Sequence, residues 1–127
     1  MGNNIENEFV SYEQAVALSE LGFDEDCVAY FEESNIIWHT QVNQSNLING
    51  AVVAPLKQQV FRWFREKYNY YGLIEGGYDN GKNLFTYVIW RKSFDDCIDD
   101  YWNTYEEAEN ECISKLIELT KQQDNGN

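Results

Sequence analysis

The sequence predicts an α+β domain with the element order αββαββα, in which a four-stranded, mainly antiparallel sheet of two hairpins is covered by three helices. Ser11 and Thr104 are each followed three positions later by Gln or Glu, and this capping-box pattern is typical of helix starts. Between them, Asn-Gly at 80–81 separates two apolar and aromatic runs, which is the strongest short-range hairpin signal. The stretch FRWFREKY (61–68) has apolar residues at helical spacing.

The first two helices have recognisable boundaries. The first is expected to run from Tyr12 to Leu21 and to end where Gly22 adopts a left-handed backbone conformation. Pro55 suits the first position of the second helix, because its missing N–H has no partner there anyway. On a helical wheel, the apolar residues of this helix fall in an arc of about 160°: Leu56, Val60, Phe61, Trp63, Phe64 and Tyr68.

The strands are expected to pair as two hairpins. Residues 27–33 and 36–42 are rich in β-branched and aromatic residues and form the first. Residues 43–53 are expected to be a loop, and a short edge strand at Ala51 to Val53 is left open. Residues 71–78 and 83–90 form the second hairpin. Since both faces of 83–90 are apolar, this strand is either covered on both sides or offers one face to a partner, and we expect the covered form.

The last helix is expected to run from Tyr105 to about Lys121, with an apolar stripe facing the sheet. The 127 residues fit a single domain, with residues 1–8 and 121–127 expected to be flexible tails. The apolar content is ordinary, but seven Phe, nine Tyr and four Trp are many aromatics for this length. Some of these rings are therefore candidates for an exposed surface.

The formal net charge of −13 argues against general binding of DNA, RNA or anionic membranes, which are held mainly by Lys and Arg. The polar, acidic start and the absence of a long apolar run lead us to expect a soluble cytosolic protein. A basic or neutral protein is the easier partner to envisage.

The sequence shows no pattern of a catalytic, metal or cofactor site. Cys27, Cys97 and Cys112 form no CxxC pair, and His39 is the single histidine, so neither a zinc site nor a disulfide framework is expected. The glycines of 72–81 lack the Lys and Ser or Thr of a phosphate-binding loop. We therefore expect a protein that is not an enzyme and has no cofactor or metal.

One acidic region is a candidate partner-binding surface. From Ser93 to Ser114 there is no Lys or Arg, and calcium is a weak interpretation because the central Gly of an EF-hand loop is missing. The region is either a solvated acidic loop or an acidic face that meets a basic partner. The residues of this candidate face are Asp95, Asp96, Asp99, Asp100, Glu106, Glu107 and Glu111, with Glu109 between them.

Arginines suggest a different site. Arg62 and Arg65 lie on the back of the FRWFREKY helix, away from its aromatics, so they do not form a nucleic-acid strip with those rings. Together with Arg91, they are the candidate phosphate contacts of an alternative function, the binding or sequestering of a small nucleotide-like ligand in an aromatic pocket.

Three stretches carry a resemblance: VSYEQAVALSELGFDEDCVAYF (10–31), APLKQQVFRWFREKYNYYG (54–72) and TYEEAENECISKLIEL (104–119). They are similar to a group of small proteins of unknown function encoded by phages and prophages of Bacteroidota. The similarity covers about half the chain and carries over no functional residue. It implies a phage-derived protein that acts in a bacterial cytoplasm.

These observations favour a non-enzymatic accessory protein that binds a host or phage protein through an acidic surface, an aromatic surface or both. Such a protein could modulate host processes or defence. Small-ligand binding is the alternative, and homo-oligomer formation is left open as a further use of spare aromatic surface.

Overall fold

The computed structural model describes residues 5–48, 50–91, 94–97 and 100–125, with the backbone alone for residues 94–97, 124 and 125. The chain divides into two compact units, Met1–Val60 and Phe61–Asn127. The single domain expected from the chain length stays a prediction.

In the described part of the chain, three α-helices and six strands follow one another, with 3-10 helices at Ile5–Glu8 and Gln44–Asn46. The first unit contains α1 and the strands β1 to β3, and α2 begins at its end. The second unit contains β4 to β6 and α3. The bounds are α1 Tyr12–Glu20, β1 Cys27–Glu32, β2 Asn35–Val42, β3 Val52–Val53, α2 Lys57–Tyr68, β4 Tyr71–Asp79, β5 Lys82–Arg91, β6 Phe94–Cys97 and α3 Tyr105–Asn125.

The strands form two separate antiparallel sheets, in the orders β2-β1-β3 and β4-β5-β6. The α+β class and the three helices are confirmed, but the prediction of a single four-stranded sheet is wrong. Each predicted hairpin acquires its own third strand: β3 pairs with β1, and β6 pairs with β5. With three strands, each sheet reaches the number needed for stability, so the two hairpins do not have to pair with each other.

Both predicted capping boxes are present. The Ser11 hydroxyl accepts from the Gln14 N–H at 3.1 Å, and the Gln14 side chain accepts from the Ser11 N–H at 3.1 Å. Thr104 and Glu107 exchange the same pair of bonds at the start of α3. Gly22 has φ 98° just beyond the end of α1, as expected for a left-handed helix terminus.

The amphipathic pattern of α2 is confirmed. Arg62 and Glu66 are exposed. The helix begins at Lys57, so the expectation that Pro55 takes its first position is wrong. Leu56, which the helical wheel put on the apolar side, precedes the helix and is 37% exposed. The buried side chains of α2 are Lys57, Val60, Phe61, Trp63 and Phe64.

The two hairpins close with the same kind of turn but with different residues. Glu33 and Ser34 join β1 to β2 with φ 52° and 68°, and Asn80 and Gly81 join β4 to β5 with φ 50° and 80°. Two-residue turns with two positive φ angles favour Asn-Gly. The second turn matches that preference, whereas the first holds a serine in a conformation that costs a non-glycine residue about 1 kcal/mol.

We expect Ser34→Gly to raise the free energy of unfolding by about 0.5–1 kcal/mol, because glycine adopts positive φ without a steric penalty. The reciprocal change, Gly81→Ser, should lower it by a similar amount. Urea denaturation measures both. A destabilising Ser34→Gly would show that serine makes a compensating contact in this turn.

Candidate functional site

Strand β5 has one covered face. Tyr87 and Ile89 are buried, and α3 packs against both β4 and β5. The Phe85 ring lies edge-on to Tyr105 of α3, with ring centroids 6.1 Å apart. The alternate residues of β5 and their partners on β4 therefore face away from α3, since successive strand residues point to opposite sides.

The opposite side of this hairpin, here called the outer face, is apolar and uncovered in the described structure. Leu73 is 51% exposed and Trp90 is 38% exposed, while the other three members are partly exposed. The expectation that this strand is covered on both sides is therefore wrong: α3 covers the inner side alone. The outer face consists of Tyr71, Leu73, Leu84, Val88 and Trp90.

Strand register holds the outer face together. Tyr71 pairs with Trp90, and Leu73 pairs with Val88. The Tyr71 and Trp90 rings are stacked at 4.5 Å with an interplanar angle of 10°. Cross-strand pairs of this kind stabilise a sheet and hold their side chains in fixed positions, so the outer face is ordered before any partner arrives.

Charged residues lie within and beside the outer face. Glu75 is exposed, and its pair with Thr86 lies between the Leu73–Val88 pair and Leu84, so Leu84 is separated from the other four members. Lys82 is exposed where the hairpin turns. On the other side of β5, the β6 backbone places Asp95 in register with Trp90. The described charged residues on the outer side of the hairpin are thus Glu75, Asp79 and Lys82, two acidic and one basic.

The predicted acidic face is not a single loop. Asp95 and Asp96 lie in β6, which is the edge strand of the second sheet, and Asp99 lies outside the described residues. Asp100 follows, and its carbonyl oxygen accepts a hydrogen bond from the Thr86 hydroxyl at 2.8 Å. The region therefore begins as part of the sheet and not as a solvated loop.

The glutamates of the candidate face lie on α3. Glu106, Glu107 and Glu111 are exposed, but Glu107 also caps the helix, since its side chain accepts from the Thr104 N–H. Glu109 is only 7% exposed, so its expected place in the acidic face is wrong. It lies on the side of α3 that also buries Cys112 and Leu116, and it is not available to a partner.

Part of this acidity has a structural explanation. An edge strand presents unpaired backbone groups that invite pairing by another chain, and charged residues on such a strand discourage it. Carboxylates in the first turn of α3 also suit its positive end. The acidic residues alone do not identify a binding site.

The three candidate arginines lie on two different elements, Arg62 and Arg65 on α2 and Arg91 on β5. The Arg91 guanidinium lies 4.9 Å from the Tyr70 ring centroid and donates to the Tyr70 hydroxyl at 3.2 Å and to Gln123 at 3.4 Å. Arg91 thereby links the strand to α3. Arg62 is exposed and Arg65 is partly exposed, and none of the three arginines lines the groove described below.

The described thiols are poor nucleophiles. Burial, with the nearby Glu25 and Asp26 carboxylates, raises the pKa of Cys27 to about 12. Burial, with Glu109, raises the pKa of Cys112 further. Both thiols therefore stay protonated near neutral pH, whereas the thiolate is the reactive form.

His39 lies exposed on β2, where its Nδ1 accepts a hydrogen bond from the Gln41 N–H at 3.1 Å. This bond is local to the strand. Within the described ranges, no three His, Cys, Asp or Glu side chains converge as metal ligands. None of the helices described has the length and apolarity needed to cross a membrane.

The β4 residues of the outer face were also predictable from the sequence. Apolar alternation in β5 was recognised, but Tyr71 and Leu73 of β4 supply the other half of the patch. Counting back from the Asn80–Gly81 turn pairs them with Trp90 and Val88, which is the register observed.

Comparison with protein-family models, with curated proteins and with solved structures gives no match for this chain.

Proposed function

We propose that this protein is a non-enzymatic binding protein whose outer face docks on a partner protein. The observation that carries the proposal is the set of two adjacent apolar cross-strand pairs, Tyr71–Trp90 and Leu73–Val88, on an uncovered sheet face. Exposed patches of this kind mark interaction sites, and Trp and Tyr are enriched in the cores of protein interfaces. The stacked Tyr71–Trp90 pair is the expected anchor.

A protein suits this surface better than a small ligand. Small molecules bind in concave pockets that cover most of their surface, whereas the open face of a sheet is broad and shallow. The alternative, a nucleotide-like ligand, requires cations to hold phosphate. Arg91, the candidate cation of the same sheet, is already engaged with Tyr70 and Gln123.

The charge pattern defines the partner further. The chain carries a net charge of −13, and the exposed Glu75 and Asp79 lie on the same side of the hairpin as the patch. A partner with an apolar centre and a basic rim would be attracted at long range and would match at contact. The resemblance to phage-encoded proteins supports a host or phage protein of the bacterial cytoplasm as that partner.

Leu73→Glu should abolish partner capture without unfolding the protein, since Leu73 is half exposed and its loss removes little core. The measurement is a pull-down from phage-infected and uninfected bacterial lysates, with captured proteins quantified for wild type and variant. Tyr78→Ala is the matched control, because Tyr78 is 76% exposed on the same strand but does not belong to the outer face.

The supporting result is a protein that wild type and Tyr78→Ala capture and Leu73→Glu does not, with capture weakened at high salt. Equal capture by all three variants contradicts the proposal. A strong rise in melting temperature with one nucleotide, unaffected by Leu73→Glu, would favour the small-ligand alternative instead.

A further inference from the structure

The first unit contains an apolar groove that the proposed function does not use. It encloses about 350 Å³ between the 3-10 helix Ile5–Glu8, the strands β1 and β2, and the segment that leads into α2. Three of its side chains are well exposed, namely Ile5 at 60%, Trp38 at 51% and Val28 at 40%. The apolar lining is Ile5, Phe9, Val28, Trp38 and Leu56.

The groove is built on fixed backbone. Phe9 is 3% exposed, and its backbone forms an isolated antiparallel bridge with Leu56. The Val10 N–H donates to the Pro55 carbonyl at 3.1 Å, which continues the same connection. The Phe9 ring meets the Trp38 ring edge-on, with centroids 5.3 Å apart and an interplanar angle of 75°. The half-exposed Trp38 indole therefore packs against the buried Phe9 ring, which fixes its position.

The polar lining sets the charge that the groove accepts. It consists of Glu8 and Gln58, so these described lining residues include a carboxylate and no Lys or Arg. Glu6 is exposed on the same 3-10 helix as Glu8. With a net charge of −13 for the chain, the groove favours a cationic occupant over an anionic or strongly acidic one.

We propose that this groove binds a linear segment of a partner protein in which a bulky aromatic side chain has Lys or Arg beside it. The aromatic side chain fills the space above Phe9, where a cavity of this size holds one large ring and its neighbours. The adjacent cation lies near Glu8 and can approach the face of the Trp38 indole, which attracts cations. Nucleotides and acidic segments are disfavoured, and so is a second copy of this chain, since it brings the same negative charge.

The test uses three capped tripeptides, Lys-Trp-Lys, Glu-Trp-Glu and Lys-Ala-Lys, titrated into the full chain at low salt. Binding is followed by NMR shifts of the Val28 and Leu56 methyl groups and of the Trp38 indole N–H. We expect saturable shifts with Lys-Trp-Lys, at least about fivefold weaker affinity for Glu-Trp-Glu, and no saturation with Lys-Ala-Lys.

Variants separate the apolar contribution to peptide binding from the contribution of charge. Trp38→Ala should weaken binding of Lys-Trp-Lys by about tenfold, since it removes the ring that forms one wall. Glu8→Gln should retain binding but reduce the preference for the basic over the acidic peptide. Ile48→Ala is the control, because Ile48 is 76% exposed in the same unit and lies outside this groove.

The proposal is overturned if Lys-Trp-Lys gives no saturable shifts, if Glu-Trp-Glu binds equally well, or if Trp38→Ala has no more effect than Ile48→Ala. Methyl shifts that depend on protein concentration without any peptide would also overturn it, because a second copy would then be the occupant. Melting temperatures of all variants confirm that a loss of binding is not a loss of fold.

Discussion

Phe64→Ala is expected to lower the free energy of unfolding by about 3–5 kcal/mol, the largest stability effect among the substitutions considered. Phe64 is fully buried, at 0% exposure, on the apolar side of α2. Its ring centroid lies 5.1 Å from that of Trp63 and 6.1 Å from that of Tyr68. Alanine would leave a cavity in place of a ring that packs against two other rings. Guanidinium denaturation measures the decrease in the free energy of unfolding.

Arg62→Ala is the matched control on the same helix. Arg62 is exposed two residues earlier, on the opposite side of α2, so its replacement should change the free energy of unfolding by less than about 1 kcal/mol. Comparable losses for the two variants would mean that the apolar side of FRWFREKY is wrongly assigned.

Gly72→Ala is expected to destabilise the second unit by about 1–3 kcal/mol, since it overfills a packed core. A Cβ atom at position 72 would lie 2.9 Å from the Cys112 Sγ and 3.0 Å from Cε1 of Phe61. Cys112 is fully buried and Phe61 is 4% exposed, so neither can move away into solvent. The close approach of α3 to β4 therefore depends on the missing side chain. Urea denaturation of wild type and variant measures the change.

Gly77→Ala provides the control on the same strand, because a Cβ there meets nothing within 4 Å. It should leave stability nearly unchanged. The double variant Gly72→Ala/Cys112→Ala should lose less than the sum of its single variants, since removing the sulfur makes room for the added methyl group. Strict additivity would show that the two positions are not in contact.

The elements of this fold were predictable where their signals are local. The boxes at Ser11 and Thr104, the glycine terminus at position 22 and the Asn80–Gly81 turn each depend on a few adjacent residues. The burial pattern of α2 follows from its own periodicity. Such signals act before any tertiary contact forms, so they can be read from the sequence.

The pairing of strands was not predictable in the same way. Strand β3 has only two residues, and β6 contains two aspartates, a residue type that is depleted in strands. Both are strands because a longer neighbour, β1 or β5, offers its edge. The β6 segment carries no strand signal of its own, and the short edge strand left open at Ala51 to Val53 was not assigned a partner, so the prediction merged the two hairpins into one sheet.

About half of the candidate site was predictable from the sequence. The alternation of Leu84, Val88 and Trp90 was visible, but whether that side is covered depends on which helices reach the sheet, and this is a tertiary property. The acidic residues were located by composition alone, which cannot distinguish exposed Glu111 from buried Glu109. Two residues apart on α3, they face different environments.

Binding of a partner at the outer face of the second sheet can be tested by site-specific photo-crosslinking. Benzoylphenylalanine is placed at Trp90 in one variant and at Tyr78, the exposed control, in the other. We expect a discrete cross-linked protein from position 90 that is absent from position 78 and lost on adding Leu73→Glu. Equal cross-linking from both positions, or a product from position 78 alone, would contradict the account.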